Sequence, residues 1–219
     1  MHGFEMRDGV ALVQFDEGKA NAVGHGLIDV VEEALAASKA DGKAVVLAGR
    51  AGLFSAGFDL QELGKGAEAS AALVGRGAMM MHALFTHPQP VVAACTGHAI
   101  AAGAFMLLSS DTRIGAAGSF KLGLNETAIG MSLPVFGLEL AKARLSPRHL
   151  TLAVTQAHIY DPEGALAAGF LDELVDEGAV LDRALAEASR LGDLPAAPYA
   201  HNKMGVRQEY ADTIAASLA

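Results

Sequence analysis

The sequence predicts an α/β fold wound from repeated strand, strand, helix turns, and three observations carry that reading. Lys43-Ala44-Val45-Val46-Leu47-Ala48 and Pro90-Val91-Val92-Ala93-Ala94-Cys95 are uninterrupted apolar runs, the pattern of strands covered on both faces of a layered sheet. Between them lie stretches in which apolar residues recur at helical spacing, as in Leu27, Val30, Val31, Ala34 and Leu35. After each buried run comes a glycine turn, so the chain reverses at the same stage of each repeat.

Taken in order, Val10 to Phe15 reads as a strand after the Asp8-Gly9 turn, and Lys19-Ala20-Asn21-Ala22 as a loop into a helix from about His25 to Ala40, which Asp41-Gly42 ends. Phe54-Ser55-Ala56-Gly57-Phe58-Asp59-Leu60 sets a tight turn between a buried strand and a polar helix start, with Asp59 suited to cap that helix. Ala71 to Thr86 is a Met-rich helix. Thr96-Gly97-His98 reads as a further turn, Ala99 to Ser110 as a helix, and Asp111 to Gly115 and Ser119 to Leu122 as short strands. From Pro134 onward the chain is mostly helical, with Gly169 stopping a helix before Leu171 to Val175. A final helix repeats Tyr210, Ile214 and Leu218 every four residues. The expected organisation is a core over residues 1–190 and a helical segment over 191–219.

Composition narrows the function. A formal charge of −9 with scattered Lys and Arg argues against nucleic acid or an anionic membrane as the partner. Cys95 is the only cysteine, which excludes an internal disulfide and points to a reducing, cytoplasmic setting. The amino terminus carries acids and no apolar core of a signal peptide. Pro88 to Ser110 has no charged residue besides its histidine, yet Pro90, Thr96, Gly97 and His98 break it into a strand, a turn and a helix, so a soluble protein is expected.

Several familiar chemistries fail on spacing. Ser55 lacks the Gly-x-Ser-x-Gly frame of a nucleophile elbow because Leu53 stands at the first glycine position. His82 and His87 fall on different helical faces, and no metal-binding spacing occurs. Gly64-x-Gly66 lacks the third glycine of a dinucleotide loop. What remains is a pair of turns, at Phe54 to Leu60 and Thr96 to Phe105, with free backbone N–H groups suited to a negatively charged oxygen. Glu126 completes the set: it is the only acid between Asp111 and Glu139, among apolar neighbours that would raise its pKa on burial.

Phe54-Ser55-Ala56-Gly57-Phe58-Asp59-Leu60, then Gly97-His98-Ala99-Ile100-Ala101-Ala102-Gly103, then Leu124-Asn125-Glu126 with Gly130, resembles the crotonase (enoyl-CoA hydratase/isomerase) superfamily in order and spacing. The resemblance runs from Lys19-Ala20-Asn21-Ala22 to Ala168-Gly169-Phe170-Leu171-Asp172. It implies a spiral of ββα turns with a C-terminal helical region, assembled as a homotrimer or a dimer of trimers, that binds an acyl-CoA substrate. It implies that the Phe58 and Ala102 amides stabilise a thioester enolate, that Ala56, Gly57, Asp59, Leu60, Gly103 and Phe105 contact substrate, and that coenzyme A enters only as part of that substrate, with no metal and no other cofactor.

One departure decides the chemistry. Hydratases of the superfamily generally use two glutamates, and the first falls at Phe105 here, while the second falls at Glu126. The Gly-Leu-Asn-Glu-Thr wording around Glu126 is similar to that of Δ3,Δ2-enoyl-CoA isomerases, which work with this single acid. Met79, Met80 and Met81, with Phe105 and Met106, suit either an adaptable acyl pocket or core packing. Two other readings stay open: a hydratase, or another acyl-CoA enzyme, that recruits an acid from elsewhere, Asp59 or Glu62 in principle, and a silent acyl-CoA-binding subunit. The family also commonly carries a longer helical tail, so the tail here is expected to be short or truncated.

Overall fold

The computed structural model describes residues 2–218; Met1 and Ala219, the ends of the predicted amino-terminal and 191–219 segments, lie outside them. The chain opens with a hairpin of β1 (His2–Arg7) and β2 (Val10–Phe15), joined by Asp8 and Gly9, both at positive φ as a tight hairpin requires. β1 was not expected from sequence, because its residues are mostly exposed and show no clean alternation. Helix α1 (His25–Asp41) follows and buries Leu27, Val31, Ala34 and Leu35 of the predicted stripe; Ile28, which is not in it, is buried as well, and Val30 is only partly so. Fully burying each of the larger ones is worth about 1.5–3 kcal/mol.

The next turns repeat the pattern. β3 (Ala44–Ala48) and β4 (Gly52–Ser55) lead through the short α2 (Leu60–Leu63) into α3 (Ala67–Thr86). β5 (Val91–Cys95) and β6 (Gly97–Ile100) lead into α4 (Ala102–Ser109), and β7 (Thr112–Ala116) and β8 (Leu122–Gly123) lead toward α5 (Val135–Arg144). Helices α6 (Pro147–Val154) and α7 (Pro162–Ala168), strand β9 (Glu173–Val175), and helices α8 (Val180–Gly192) and α9 (Ala196–Ala216) complete the chain. Gly169 stops α7 in the left-handed conformation, as its position predicted.

The strands of each repeat part company. The first goes into a six-stranded sheet of order β1-β2-β3-β5-β7-β9, and from β3 onward the second goes into a three-stranded sheet of order β4-β6-β8. This is the predicted ββα spiral. In the large sheet Val46 lies opposite both Leu12 and Val92. Its alternate residues serve two cores: Val45, Leu47, Val91 and Ala93 face α1 and α3, whereas Val46, Val92 and Ala94 face Val180, Ala184 and Ala188 of α8. Helices on both faces are why these strands are apolar at every position.

Two predicted elements change. Residues 97–100 form β6 rather than a turn and the opening of a helix, which begins at Ala102. The reason is strand pairing: Gly97 lies in register with Gly52 of the parallel neighbour β4, and a Cβ on Gly97 would be 2.0 Å from the Gly52 carbonyl carbon, so the strands meet through glycines that local propensity counts as turn residues. Likewise only Leu122 of the predicted 119–122 strand is in β8, which extends to Gly123. Helix α9 crosses α3 and α5 and places Ala211 and Ile214 in the main core, with Tyr210 and Leu218 packed against it. Among the described residues no helix is long and apolar enough to cross a membrane.

The Gly97 contact gives a stability test. Gly97→Ala forces backbone against backbone and is expected to cost about 3 kcal/mol, read as a lowered urea midpoint at unchanged m-value.

Candidate active site

The three residues singled out from sequence emerge at one edge of the small sheet. β4 ends at Ser55, β6 at Ile100 and β8 at Gly123, all parallel, so the segments carrying Phe58, Ala102 and Glu126 leave from the same side. The register Ser55 opposite Ala99 and Ile100 opposite Gly123 sets them side by side.

Phe58 is held by a short parallel bridge to Val23. Val23 N donates to Gly57 O at 2.8 Å and Asp59 N donates to Val23 O at 3.1 Å, which turns the Phe58 N–H away from Val23. On the other side lies the turn before α4. Gly57 has φ of +116°, and a Cβ there would come within 3.3 Å of Ala101 Cβ and 3.8 Å of Ala102 N. The Phe58 ring meanwhile lies on α3, where a Cβ at Gly77 would be 2.4 Å from its Cε1.

Ala102 is the first residue of α4, so its N–H has no helical carbonyl to reach and sits at the positive end of the helix dipole. The turn delivering it is strained: Ala101 has φ 53° and ψ −118° while its N–H donates to Gly123 O at 3.0 Å. A non-glycine residue there costs about 1–3 kcal/mol. Gly103 seats the helix on β4, because a Cβ at that position would lie 2.4 Å from Ser55 O. Ser55 itself is fully buried, and its hydroxyl accepts from Gly57 N at 3.3 Å, a turn-shaping role.

Glu126 opens a 3-10 turn over Thr127–Ile129 and is 6% exposed. Its backbone carbonyl accepts from Ile129 N and Met131 N, yet Oε2 is buried without a hydrogen-bond partner, and so is Oδ1 of neighbouring Asn125. Burial pushes the carboxyl pKa up from its ordinary value, opposed in part by a hydrogen bond from its own backbone N–H. A carboxyl so placed is poised to take up or release a proton.

Beside this edge lies a cleft of about 690 Å³ lined by Ala56, Gly57, Phe58, Asp59 and Leu60 on one wall and by Lys19, Ala20, Ala22 and His25 on the other. Four of the six predicted contact residues therefore share one cavity with Phe58. Asp59 caps α2 through Oδ1, which accepts from Gln61 N at 2.8 Å, and Leu60 is 80% exposed. Glu126, Ala102, Gly103 and Phe105 are not part of this lining. Phe105 is buried, its ring edge-on to Phe136 at 5.2 Å and over Gly137, where a Cβ would be 2.7 Å away. Met80 and Met81 are core residues, whereas Met79 is half-exposed. Among the described residues no three His, Cys, Asp or Glu are grouped to hold a metal.

Sequence reasoning assigned no role to Asn21. It is fully buried at φ 47°, donates to Phe54 O at 2.7 Å and Phe15 O at 3.1 Å, and accepts from Glu17 N at 2.8 Å, pinning the second cleft wall to β4. The readable signal was an Asn between small residues, the side chain that best tolerates left-handed backbone.

A ββα spiral with free amides and a desolvated carboxyl at one sheet edge, next to an open cleft, defines an enzyme class built for chemistry beside a carbonyl. The chain belongs to the enoyl-CoA hydratase/isomerase family, whose profile matches residues 5–219, and so to the crotonase superfamily of acyl-CoA enzymes. It is 34% identical to a probable enoyl-CoA hydratase of Mycobacterium avium, over 90% of this chain and 78% of that one. An enoyl-CoA hydratase/isomerase family protein from Pseudomonas syringae superposes with a TM-score of 0.95 at 39% identity, over 99% of this chain and 94% of that one. A structure named an enoyl-CoA isomerase from Mycobacterium tuberculosis gives 0.93 at 35% identity, over 99% and 95%, and a second structure of that same protein, named a probable enoyl-CoA hydratase, gives 0.94 at 35% identity, over 99% and 92%.

Two substitutions probe the site without substrate. Ala101→Gly is expected to raise stability by about 1 kcal/mol, the strain relieved less the backbone entropy added to the unfolded chain, measured by urea unfolding. Because burial raises the folded pKa of Glu126, the carboxyl holds its proton more tightly folded than unfolded, so its contribution to stability falls as pH rises through the carboxylate range. Glu126→Gln is accordingly expected to raise the melting temperature at pH 7, with the difference from wild type shrinking as pH is lowered.

Proposed function

We propose that the protein isomerises 3-enoyl-CoA to 2-enoyl-CoA, with Glu126 as the single proton carrier. The observation that supports this most is the contrast between Glu126, a buried carboxyl with a free oxygen, and Phe105, whose ring is packed against Phe136 and Gly137 where a hydratase would carry its other glutamate. Hydration needs a second group to orient and deprotonate water; isomerisation needs only one base that returns what it takes.

In the proposed reaction the Glu126 carboxylate removes a proton from C2 of the substrate. The electron pair left behind spreads onto the thioester oxygen, giving a dienolate. The amides of Phe58 and Ala102 donate to that oxygen; loss of one such donor costs about 3 kcal/mol in the transition state. The Glu126 carboxyl then returns the proton at C4, and the double bond moves from C3–C4 to C2–C3. Coenzyme A is present as part of the substrate, and the proposed steps call on no other cofactor or metal. Ala56, Gly57, Asp59 and Leu60 line the cleft proposed to take the CoA portion, with Lys19 supplying positive charge at its mouth. Gly103 supports the amide of Ala102, and Phe105 keeps water from the carboxyl. The working assembly is proposed as a homotrimer or a dimer of trimers in the cytoplasm.

The M. tuberculosis protein is named an isomerase in one structure and a probable hydratase in another, and the M. avium relative a probable hydratase, so the proposal rests on Glu126 and Phe105 rather than on names. Solvent deuterium exchange separates isomerase from hydratase. Wild type is expected to exchange C2 protons and convert 3-enoyl-CoA with little hydration of 2-enoyl-CoA, and Glu126→Gln to lower turnover about 10³-fold. Robust hydration that survives Glu126→Gln would sink the proposal.

A further inference from the structure

Among the described residues, six buried side-chain nitrogen or oxygen atoms have no hydrogen-bond partner. Two belong to Asn125 and Glu126, at the site already described. The other four, His87 Nε2, Arg113 Nε and Nη1, and Arg144 Nε, belong to a second place, where α9 docks on the ends of β5 and β7. There Asp111 accepts from Val91 N at 2.7 Å, from Lys203 Nζ at 2.8 Å and from Arg207 Nη2 at 2.8 Å, while its backbone carbonyl accepts from Arg144 Nη2 at 2.8 Å. Arg113 is paired with Asp172. Four cations, Arg113, Arg144, Lys203 and Arg207, thus meet only two carboxylates, Asp111 and Asp172, in a chain whose formal charge is −9.

An excess of positive charge among desolvated groups is costly and favours an added anion. Desolvation and mutual repulsion already push Arg144 down to about 9 and Lys203 down to about 8. His87, pushed down to about 4 by burial and Lys203, adds no charge at neutral pH. Over part of this cluster opens a cavity of about 510 Å³ whose lining includes Arg144, Lys203, Arg207 and Asp111 together with Leu194, Pro198 and Val206; His87 and Arg113 are not part of it. That volume is in the range of small-molecule sites. Three cations against one carboxylate ask for negative charge, and the apolar residues ask for apolar surface.

We infer that this cavity is a second ligand site, remote from the cleft at the small-sheet edge, which binds an organic anion with an apolar body, chemically a medium-chain carboxylate. The head would pair with the guanidinium of Arg144, which lines the cavity and reaches only the Asp111 backbone carbonyl rather than a carboxylate of its own, and the chain would lie along Leu194, Pro198 and Val206.

The test is isothermal titration of the full chain with octanoate, octan-1-ol and inorganic phosphate, each with and without saturating CoA. Octanoate is expected to bind and to remain bound when CoA is present, with octanol and phosphate each about tenfold weaker or more, since each lacks one half of the match. Arg144→Gln should weaken octanoate by about tenfold. Should that variant fail to fold, Val206→Glu sets a tethered carboxylate at the 75%-exposed rim and is expected to abolish octanoate binding and raise the melting temperature, while Val206→Gln does neither. Displacement of octanoate by CoA, octanol or phosphate binding as tightly, or octanoate binding unchanged in Val206→Glu would each overturn the inference. So would a wild type that ignores octanoate but forms an assembly that Val206→Glu dissociates, because a neighbouring copy's carboxylate would then be the anion.

Discussion

The structure depends on backbone lying against backbone where successive turns of the spiral meet. β6 pairs with β4 at Gly97 and Gly52, the start of α4 lies on Ser55 at Gly103, and the bend after β3 lies on Phe54 at Gly49. No side chain fits between the backbones at these contacts. Close approach lets three short parallel strands end at one edge, and that edge sets the amides of Phe58 and Ala102 and the carboxyl of Glu126 on one side of the molecule. Widening these contacts by one methyl group would separate the turns before it altered any side chain of the site. The glycine-rich composition is therefore a condition of the site's geometry as much as of the fold.

At that edge the protein accepts two local costs. Ala101 holds a backbone conformation that suits glycine, and Glu126 leaves a carboxylate oxygen buried without a partner. Neither helps folding, and both are the kind of feature that persists where surrounding structure over-determines it. Ala101 is fixed from two sides, by its hydrogen bond to Gly123 O and by contact with Gly57. Glu126 is fixed by the two backbone donors that its own carbonyl accepts. In both cases the backbone's hydrogen bonds are made, so the cost is confined to the dihedral angles of Ala101 and to the carboxyl of Glu126.

What was legible in the sequence follows from whether the cause was local. The apolar runs at 44–48 and 91–95 betrayed strands covered on both faces, Gly169 and Asp59 announced a helix stop and a helix cap, and the isolation of Glu126 among apolar residues marked it out, although its burial is settled only by the fold. The ββα rhythm was readable because each repeat carries its own turn. β6 was not, since Gly97-His98 resembles a turn until β4 is laid beside it. Nor was the left-handed conformation of Ala101, which no local preference would choose. The cation-rich seam escaped because Asp111, Arg144, Lys203 and Arg207 come from three distant stretches of chain, each of them unremarkable alone.

That seam also explains how the site is held rigid. Arg207 donates to Phe85 O at 2.7 Å and lies over the Phe85 ring at 4.5 Å, and Lys203 reaches Gln89 O at 3.3 Å, so α9 is fastened at the end of α3 and the start of β5. From there α9 runs across α3 and α5. The first of those helices carries Gly77, against which the Phe58 ring rests; the second carries Phe136 and Gly137, against which Phe105 rests. A helix held by buried ion pairs thus presses on the two helices that seat Phe58 and Phe105. Ion pairs suit that duty better than apolar packing alone, because their geometry fixes the rotation of α9 about its axis as well as its distance from the core. The seating of Phe58 and of Phe105 therefore rests partly on charges that lie in a different part of the fold.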